Sequence, residues 1–465
     1  MTSPQFKRRI YLNAFDMFTV GHMSFGQWRN PADRTADKRR DLSYWTDIAR
    51  LLERGDFNAL FLADTNGWCD VYGGSAEPCV RNAIQYPMGD PVGPISAMAA
   101  VTKNLGFAIT ASTSFEKPYV LAKRLSTLDH LTKGRLGWNV VTSWKASGFE
   151  AIGIDPVPHD KRYEIADEYM RVLYKLWEGS WADDALIEDR KNGIYADFDR
   201  IRVIDHQGQH FRLHAPHILD PSPQRTPFIF QAGSSPAGLH FGATHAEGIF
   251  VGVRAKLVEV GRDPASVKVF ASLTPIVGRT SAEAQAKHAQ ALQYASEEGG
   301  LVYWCANTAI DLSKLDMDEE VTRQMGDQTV DVQLQSLLEN LAYPSEGEEA
   351  PVWTPRRIGK AVALGASGPV PVGTAEEVAD EMKRWVQIAD IDGFNIGHIT
   401  VPGTWEDVVE LLVPVLRKRG LYAPVGEEGT MRERMYGKGQ SRLPDEHVGT
   451  RYKFDVYEQD AGKGV

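Results

Sequence analysis

The side chains here that could do chemistry gather where a polar residue ends an apolar, β-branched run. Asp64 closes the run 57–63, Asn139, Thr142 and Ser143 close the run that starts at Arg135, and Thr110 and Ser112 stand near the end of 106–114. In parallel α/β proteins the carboxyl ends of the strands face the ligand, so these residues mark one end of a sheet as a binding surface. Ser234 and Ser235 follow Gly233 at the start of a helix expected over 235–244. Free N–H groups and the helix dipole favour an anion there. The same two serines could instead simply cap the helix, which uses the same N–H groups. His159 opens another helix beside Asp160. No residue set supplies a nucleophile: there is no GxSxG elbow, no HExxH pair and no cysteine with a local catalytic signature. Such a chain reads as a cofactor enzyme, in which the protein binds, orients and shields.

Two further groups of side chains call for a reading. His206, His210, His214 and His217 suggest zinc, but they lie in an excursion between strand–helix units rather than at strand ends. The two flanking the Gln207-Gly208 turn are expected to point outward, and no metal site is expected. Aromatic residues crowd the loops: Phe25 and Trp28, Trp68 and Tyr72, Phe115, and Trp304 in a loop expected to fold over a barrel mouth. They would form an apolar substrate pocket, or they anchor those loops. Arg29, Lys117 and Lys145 are the few loop cations able to grip a carboxylate substrate. Their scarcity favours a small, uncharged one.

The elements that position these residues alternate. Strands are expected at 9–15, 57–63, 106–114, 135–141, 227–231, 246–253, 267–270 and 393–396. Helices at 41–54, 91–104, 118–132, 159–177, 235–244, 374–387 and 405–417 are interleaved with them, together with a short sixth at 254–260. The 118–132 helix shows a face of Leu121, Arg124, Leu125, Leu128 and Leu131, stopped at Gly134. Eight strand–helix units make a (β/α)8 TIM barrel over 1–420, with insertions near 65–90, 185–225 and 297–371. The excursion at 201–213 reads as a hairpin. The tail 421–465 reads as an extension wrapping the surface or a partner subunit. The segment 254–266 is too short for a full barrel helix, since seven helical residues span only ~10 Å. Either that helix is truncated or a piece is absent from the sequence.

With 43% hydrophobic and 24% charged residues, the composition is that of a soluble globular chain. A formal net charge of −11 argues against nucleic acid or an anionic membrane as partner. Three widely spaced cysteines, Cys69, Cys79 and Cys305, make no disulfide framework or metal motif. The N-terminus lacks a secretion signal, and no apolar run is long enough to cross a bilayer, so a cytoplasmic protein is expected.

Several segments also carry a resemblance. RLSTLDHLTKGRLGWNVVTSW (124–144), His159-Asp-Lys-Arg-Tyr163, Gln231-Ala-Gly-Ser-Ser235, Leu52-Glu-Arg-Gly-Asp-Phe57 and Phe61-Leu-Ala-Asp64 occur in order along the chain. They resemble the two-component FMN-dependent monooxygenases of the bacterial-luciferase superfamily, the group acting on nitrilotriacetate, dibenzothiophene sulfone and dimethyl sulfide. Leu12-Asn-Ala-Phe-Asp-Met17, Asp70-Val-Tyr-Gly-Gly-Ser-Ala-Glu77 and Leu176-Trp-Glu-Gly-Ser-Trp181 are similar to the dimethyl-sulfide type.

The resemblance implies a luciferase-like barrel that takes FMNH2 from a separate NAD(P)H:flavin reductase and lets O2 add at flavin C4a. The resulting hydroperoxide oxidises a small organosulfur substrate such as dimethyl sulfide. It implies that Asn139 and its strand end, including Ser143, meet the flavin ring with Asp64 and Thr110. Tyr163, Ser234 and Ser235 hold the phosphate, and His159 acts near the ring with Asn139. It also implies a homodimer or homotetramer. FMN is favoured over FAD because no GxGxxG follows a first strand. The rival readings are an aminopolycarboxylate or sulfone monooxygenase, a deazaflavin-dependent dehydrogenase, a non-catalytic flavin-binding barrel and a metal-dependent hydrolase.

Overall fold

Eight of the apolar runs become a closed parallel barrel in the computed structural model, which describes residues 9–457 apart from 251, 322–323, 326–327, 330–351 and 367. The strands are β1 (Tyr11–Met17), β2 (Ala59–Ala63), β3 (Gly106–Ser112), β4 (Leu136–Val141), β5 (Phe228–Gln231), β6 (Gly248–Ile249), β7 (Lys268–Leu273) and β8 (Gly393–Ile396). They follow one another around the barrel in chain order. The main helices are α1 (Leu42–Arg54), α2 (Ile95–Ala100), α3 (Pro118–Leu131), α4 (His159–Gly179), α5 (Pro236–His245), α6 (Arg254–Glu259), α7 (Ala375–Ile388) and α8 (403–418). The expected TIM barrel is therefore present. Among the described residues, no helix is long and apolar enough to cross a membrane.

Side-chain alternation explains why β4 is apolar on both faces. Trp138 points outward and meets the rings of Tyr169 and Trp177 on α4, at 6.4 and 6.2 Å. Its neighbour Asn139 then falls on the opposite face, because successive strand residues alternate. On α3 the expected stripe is buried at Leu121, Leu125 and Leu128, but Leu131 is 57% exposed: the helix ends there, and its last turn leaves the core. Gly134 takes φ +79°, and a Cβ on it would lie 2.6 Å from Thr430, so this turn needs glycine for conformation and for space.

Four expectations need correction or completion. The sixth strand is only Gly248–Ile249, and the helix after it is the six-residue α6, followed by a 3-10 turn at Pro264–Ser266. A truncated helix is thus what this sequence forms. Among the described residues beside it, Ile249, Val267 and Val269 nevertheless stay buried. Trp304 does not sit in a loop: Glu297–Thr308 is a helix, and Ser296 caps it by accepting from the Gly299 N–H. The rest of the 297–371 insertion lies partly outside the described residues. The tail is more than a surface wrap, because Arg432 on the helix Met431–Tyr436 is fully buried and paired with Glu247 at 2.7 Å. The hairpin expected at 201–213 forms from Ile204–Gln207 and Arg212–Ala215. His206, however, points inward to Glu168 at 3.1 Å because that carboxylate is itself buried on α4.

The chain divides into two compact units. One comprises Met1–Pro94, Lys145–Ala151 and Ala271–Pro424; the other comprises Ile95–Trp144, Ile152–Phe270 and Val425–Val465. The second unit carries β3 to β6, α3 to α6 and the tail. In it, Met431 donates its N–H to Gly134 O, and Arg434 donates to Asn104 O, so the tail closes over the amino ends of β3 and β4.

Candidate functional site

In the second unit the carboxyl ends of β3, β4 and β5 gather most of the sequence-derived site residues. The β3–β4 register places Thr110 opposite Asn139, and the Asn139 amide donates to Thr110 Oγ1 at 2.9 Å. Both residues are 5% exposed, and Asn139 Oδ1 is a buried acceptor without a partner. A buried amide oxygen left open is costly unless a ligand donor meets it. One step further along, Ser143 donates to Ser112 Oγ at 2.8 Å from a left-handed backbone with φ 54°. A non-glycine residue held at positive φ at a strand end is a common mark of a functional loop.

The start of α5 builds the other half. Ser235 accepts from the Gly238 N–H at 3.1 Å, so it is the N-cap, and Pro236 occupies the first helical turn. The capping reading is therefore realised. Capping leaves Ser234 exposed at the positive end of the helix, where an anion is favoured. Tyr163 crosses this end from α4: a Cβ on Gly233 or Gly238 would lie 2.5 or 2.8 Å from its hydroxyl. Two glycines thus let the phenol close over the cap. The Tyr163 ring lies edge-on to His159 (5.3 Å) and tilted against Phe241 (5.7 Å). His159 is exposed, its Nδ1 2.7 Å from Asp160 Oδ1. Gln231 at the end of β5 adds a second buried acceptor without a partner, Oε1, which the sequence reading passed over. This face can hold a phosphate-type anion at α5 and a planar hydrogen-bonding group against Asn139.

The first unit carries the remaining residues. Asp64 follows β2, accepts from the Thr65 N–H at 2.8 Å, and is pushed up to about 7, chiefly by burial. Phe25 and Trp304 are buried in one apolar cluster with Met23, Leu301 and Val302, and Tyr72 packs on its edge. Trp28 and Trp68 lie outside it, 39% and 44% exposed. Phe115, half-buried after β3, belongs to the second unit. Two of the three loop cations are occupied by backbone: Arg29 donates to Tyr294 O and Lys145 to Gly67 O.

A buried polar group at the ends of β1 and β8 also went unread. His398 Nε2 lies 2.9 Å from Asp16 Oδ1, and His22 stands beside them, its ring centroid 6.1 Å from that of His398. Burial opposes a charge on His398, yet the adjoining Asp16 carboxylate holds its pKa above the usual range; burial pulls His22 down to about 3. One ligand-type atom from each of the three lies within 4.8 Å of the others, the one such group among the described residues. The Asp16 oxygen that bonds His398 also accepts from the Met17 N–H, so as it stands this is a hydrogen-bonded acid–base pair. The strand-end rule applied to β8 would have found His398, only two residues past Ile396. The four excursion histidines do not converge: His217 meets Ser126 while His214 is exposed beside Asp205.

Comparison with known proteins gives the family of the chain. Residues 22–390 match the family model for luciferase-like monooxygenases. The chain is 45% identical to the dimethyl-sulfide monooxygenase of Hyphomicrobium sulfonivorans, over 97% of this chain and 95% of that one. It is 44% identical to the long-chain alkane monooxygenase of Geobacillus thermodenitrificans (strain NG80-2), over 96% and 98%. The crystal structure of DmoA from Hyphomicrobium sulfonivorans superposes with a TM-score of 0.89 at 44% identity, covering 96% of each chain.

Proposed function

The chain belongs to the luciferase-like monooxygenase family and is a flavin-dependent monooxygenase, and from that premise we propose that it uses FMNH2 supplied by a separate NAD(P)H:flavin reductase to oxygenate a small organosulfur compound such as dimethyl sulfide. The observation that carries the cofactor reading is the second unit's polar face, where the glycine-backed Tyr163 closes over the α5 cap and Asn139 Oδ1 awaits a donor. These features suit a flavin that ends in a single phosphate. Tyr163, Ser234 and Ser235 would hold that phosphate, while Asn139, Thr110 and Ser143 would orient the ring system. Bound reduced flavin supplies the activation of O2. The protein's own part is to fix the ring, exclude water and place the substrate.

A separate reductase is supported by the likeness to the nitrilotriacetate monooxygenase component A of Aminobacter aminovorans, 31% identical over 91% of this chain and 96% of that one. The substrate reading rests on polarity. The first unit's aromatic cluster is apolar, and Arg29 and Lys145 are already held by carbonyls, which disfavours polycarboxylates. The alkane monooxygenase, nearly as similar as the dimethyl-sulfide enzyme, supports an n-alkane as the second reading. The deciding assay supplies FMN, NADH and a generic flavin reductase, and offers thioethers, alkanes, sulfones, amines and aminopolycarboxylates. Oxygen-dependent turnover of dimethyl sulfide above the others is the expected result; turnover confined to alkanes or to carboxylates overturns the substrate reading.

A further inference from the structure

The sequence holds two Asn-Gly steps, Asn66-Gly67 and Asn192-Gly193. An asparagine before glycine is open to attack on its side-chain amide by the next backbone nitrogen, because glycine has no Cβ to block the approach or restrict the backbone. The two steps differ in how they are held. Asn192 and Gly193 are both exposed, at the turn joining the strands Leu186–Asp189 and Ile194–Ala196 of the second unit. Gly193 takes φ +71°, a Cβ built on it would meet nothing within 4 Å, and its N–H donates to no group among the described residues. Asp189 anchors the turn. Its carboxylate accepts from the Lys191 and Asn192 N–H groups at 2.9 and 3.0 Å and from the Asn192 amide nitrogen at 2.6 Å. The Asn192 N–H and amide in turn hold the Asp189 carboxyl below the usual carboxylate range. These bonds engage the amide nitrogen that would leave and spare the Gly193 nitrogen that would attack. Asn66 in the first unit is exposed as well, but its glycine is fixed. Gly67 O accepts from the Lys145 ammonium at 3.1 Å, Ser147 Oγ donates to Trp68 O at 3.2 Å, and a Cβ on Gly67 would lie 2.5 Å from Ser147 Oγ. The 145–148 turn thus clamps the peptide that would have to rotate.

We propose that Asn192-Gly193 is a self-modification site, at which the side-chain amide is lost and the Asp189 turn is unlatched, while the fold protects Asn66-Gly67. The Gly193 nitrogen bonds to Asn192 Cγ and gives up its proton to water. The Cγ–Nδ2 bond breaks, and the nitrogen leaves as ammonia with a proton taken from water. Water then opens the cyclic imide at either carbonyl, leaving an aspartate or an isoaspartate at position 192. The net change is water consumed and ammonia released, with nothing oxidised or reduced. The new carboxylate replaces a donor to Asp189 by a like charge, which opposes the turn. The reaction uses none of the residues proposed for flavin or substrate, so it stands or falls separately from the proposed oxygenation.

The test incubates the full-length protein in mildly alkaline buffer, folded or in urea, and follows both steps by peptide mass and by methyl transfer from an isoaspartate methyltransferase. In the folded protein Asn192 should be lost roughly tenfold or more faster than Asn66, since a backbone clamped away from the attack geometry forfeits at least that much. In urea the two rates should converge. Asn192→Gln, with Gly193→Ala as a second variant, should keep this turn unmodified over the same period. Aged wild type should be cut by trypsin after Arg190 and Lys191 faster than fresh protein, whereas aged Asn192→Gln should not. Folded Asn66 reacting as fast as Asn192, Asn192 intact over the time that converts it in urea, or aged and fresh protein cut alike, overturns the proposal.

Discussion

Ser235 is where two readings of one residue can be separated. Asp caps a helix about as well as Ser, so Ser235→Asp should leave α5 and the thermal midpoint nearly unchanged. Its carboxylate would nonetheless oppose a phosphate. FMNH2 affinity should fall by about tenfold or more, corresponding to at least ~1.4 kcal/mol, in an anaerobic fluorescence titration. Affinity left intact would mean that the phosphate sits elsewhere. Asp64 gives a pH signature. Its folded pKa is raised, so the folded chain holds this proton up to about 7 while the unfolded chain releases it near 3.8. Stability therefore falls as pH rises through that window. Asp64→Asn should gain about 1–2 kcal/mol relative to wild type between pH 4.5 and pH 8 in urea unfolding, a figure discounted for partial solvent exposure. A gap independent of pH would contradict the raised pKa. His159→Ala should lower turnover by roughly 10²–10⁴-fold, more than it lowers flavin affinity, because its imidazole is proposed to move a proton in the reaction. Equal turnover would remove it from the reacting centre. Strand-end side chains such as Asn139 and Asp64 were legible because alternation and strand position depend on local sequence alone. The pairing of Asp16 with His398 was not, because 382 residues separate them and closing the barrel is what brings them together.

The elements were legible for the same local reasons, and their failures are instructive. β8 and the hairpin match the expected residues closely, because a turn residue or a strand break bounds each. Trp304 was misread because Glu297–Thr308 has two glycines near its start and no polar–apolar rhythm of its own; packing against Pro355–Val362 supplies what local pattern does not. The buried anchor of the tail was not legible because it is a charge. Arg432 binds both Glu247 oxygens, at 2.7 and 2.9 Å, and also donates to the carbonyls of Ser441 and Thr226. Removing one partner of such a pair leaves a buried charge alone. Arg432→Met should therefore cost about 3–5 kcal/mol in urea unfolding, and adding Glu247→Gln should restore much of it. A single-variant loss below ~1 kcal/mol would show that the pair is solvated and not structural.

Taken as a whole, the molecule is a luciferase-like barrel whose second unit by itself carries the polar face proposed for FMN. The substrate aromatics fall mainly in the first unit. Trp68, exposed and outside the apolar cluster, is proposed to screen the reaction from water: Trp68→Ala is expected to consume reduced flavin normally but release peroxide instead of product. Unchanged coupling would remove Trp68 from that role. The proposed chemistry itself is tested most directly by mixing the enzyme anaerobically with FMNH2 and dimethyl sulfide, admitting O2, and measuring methanethiol formed per FMNH2 consumed. The prediction is a ratio approaching one that collapses when enzyme, FMNH2 or O2 is left out. Flavin that oxidises at its free-solution rate, with no methanethiol above the enzyme-free control, would contradict it.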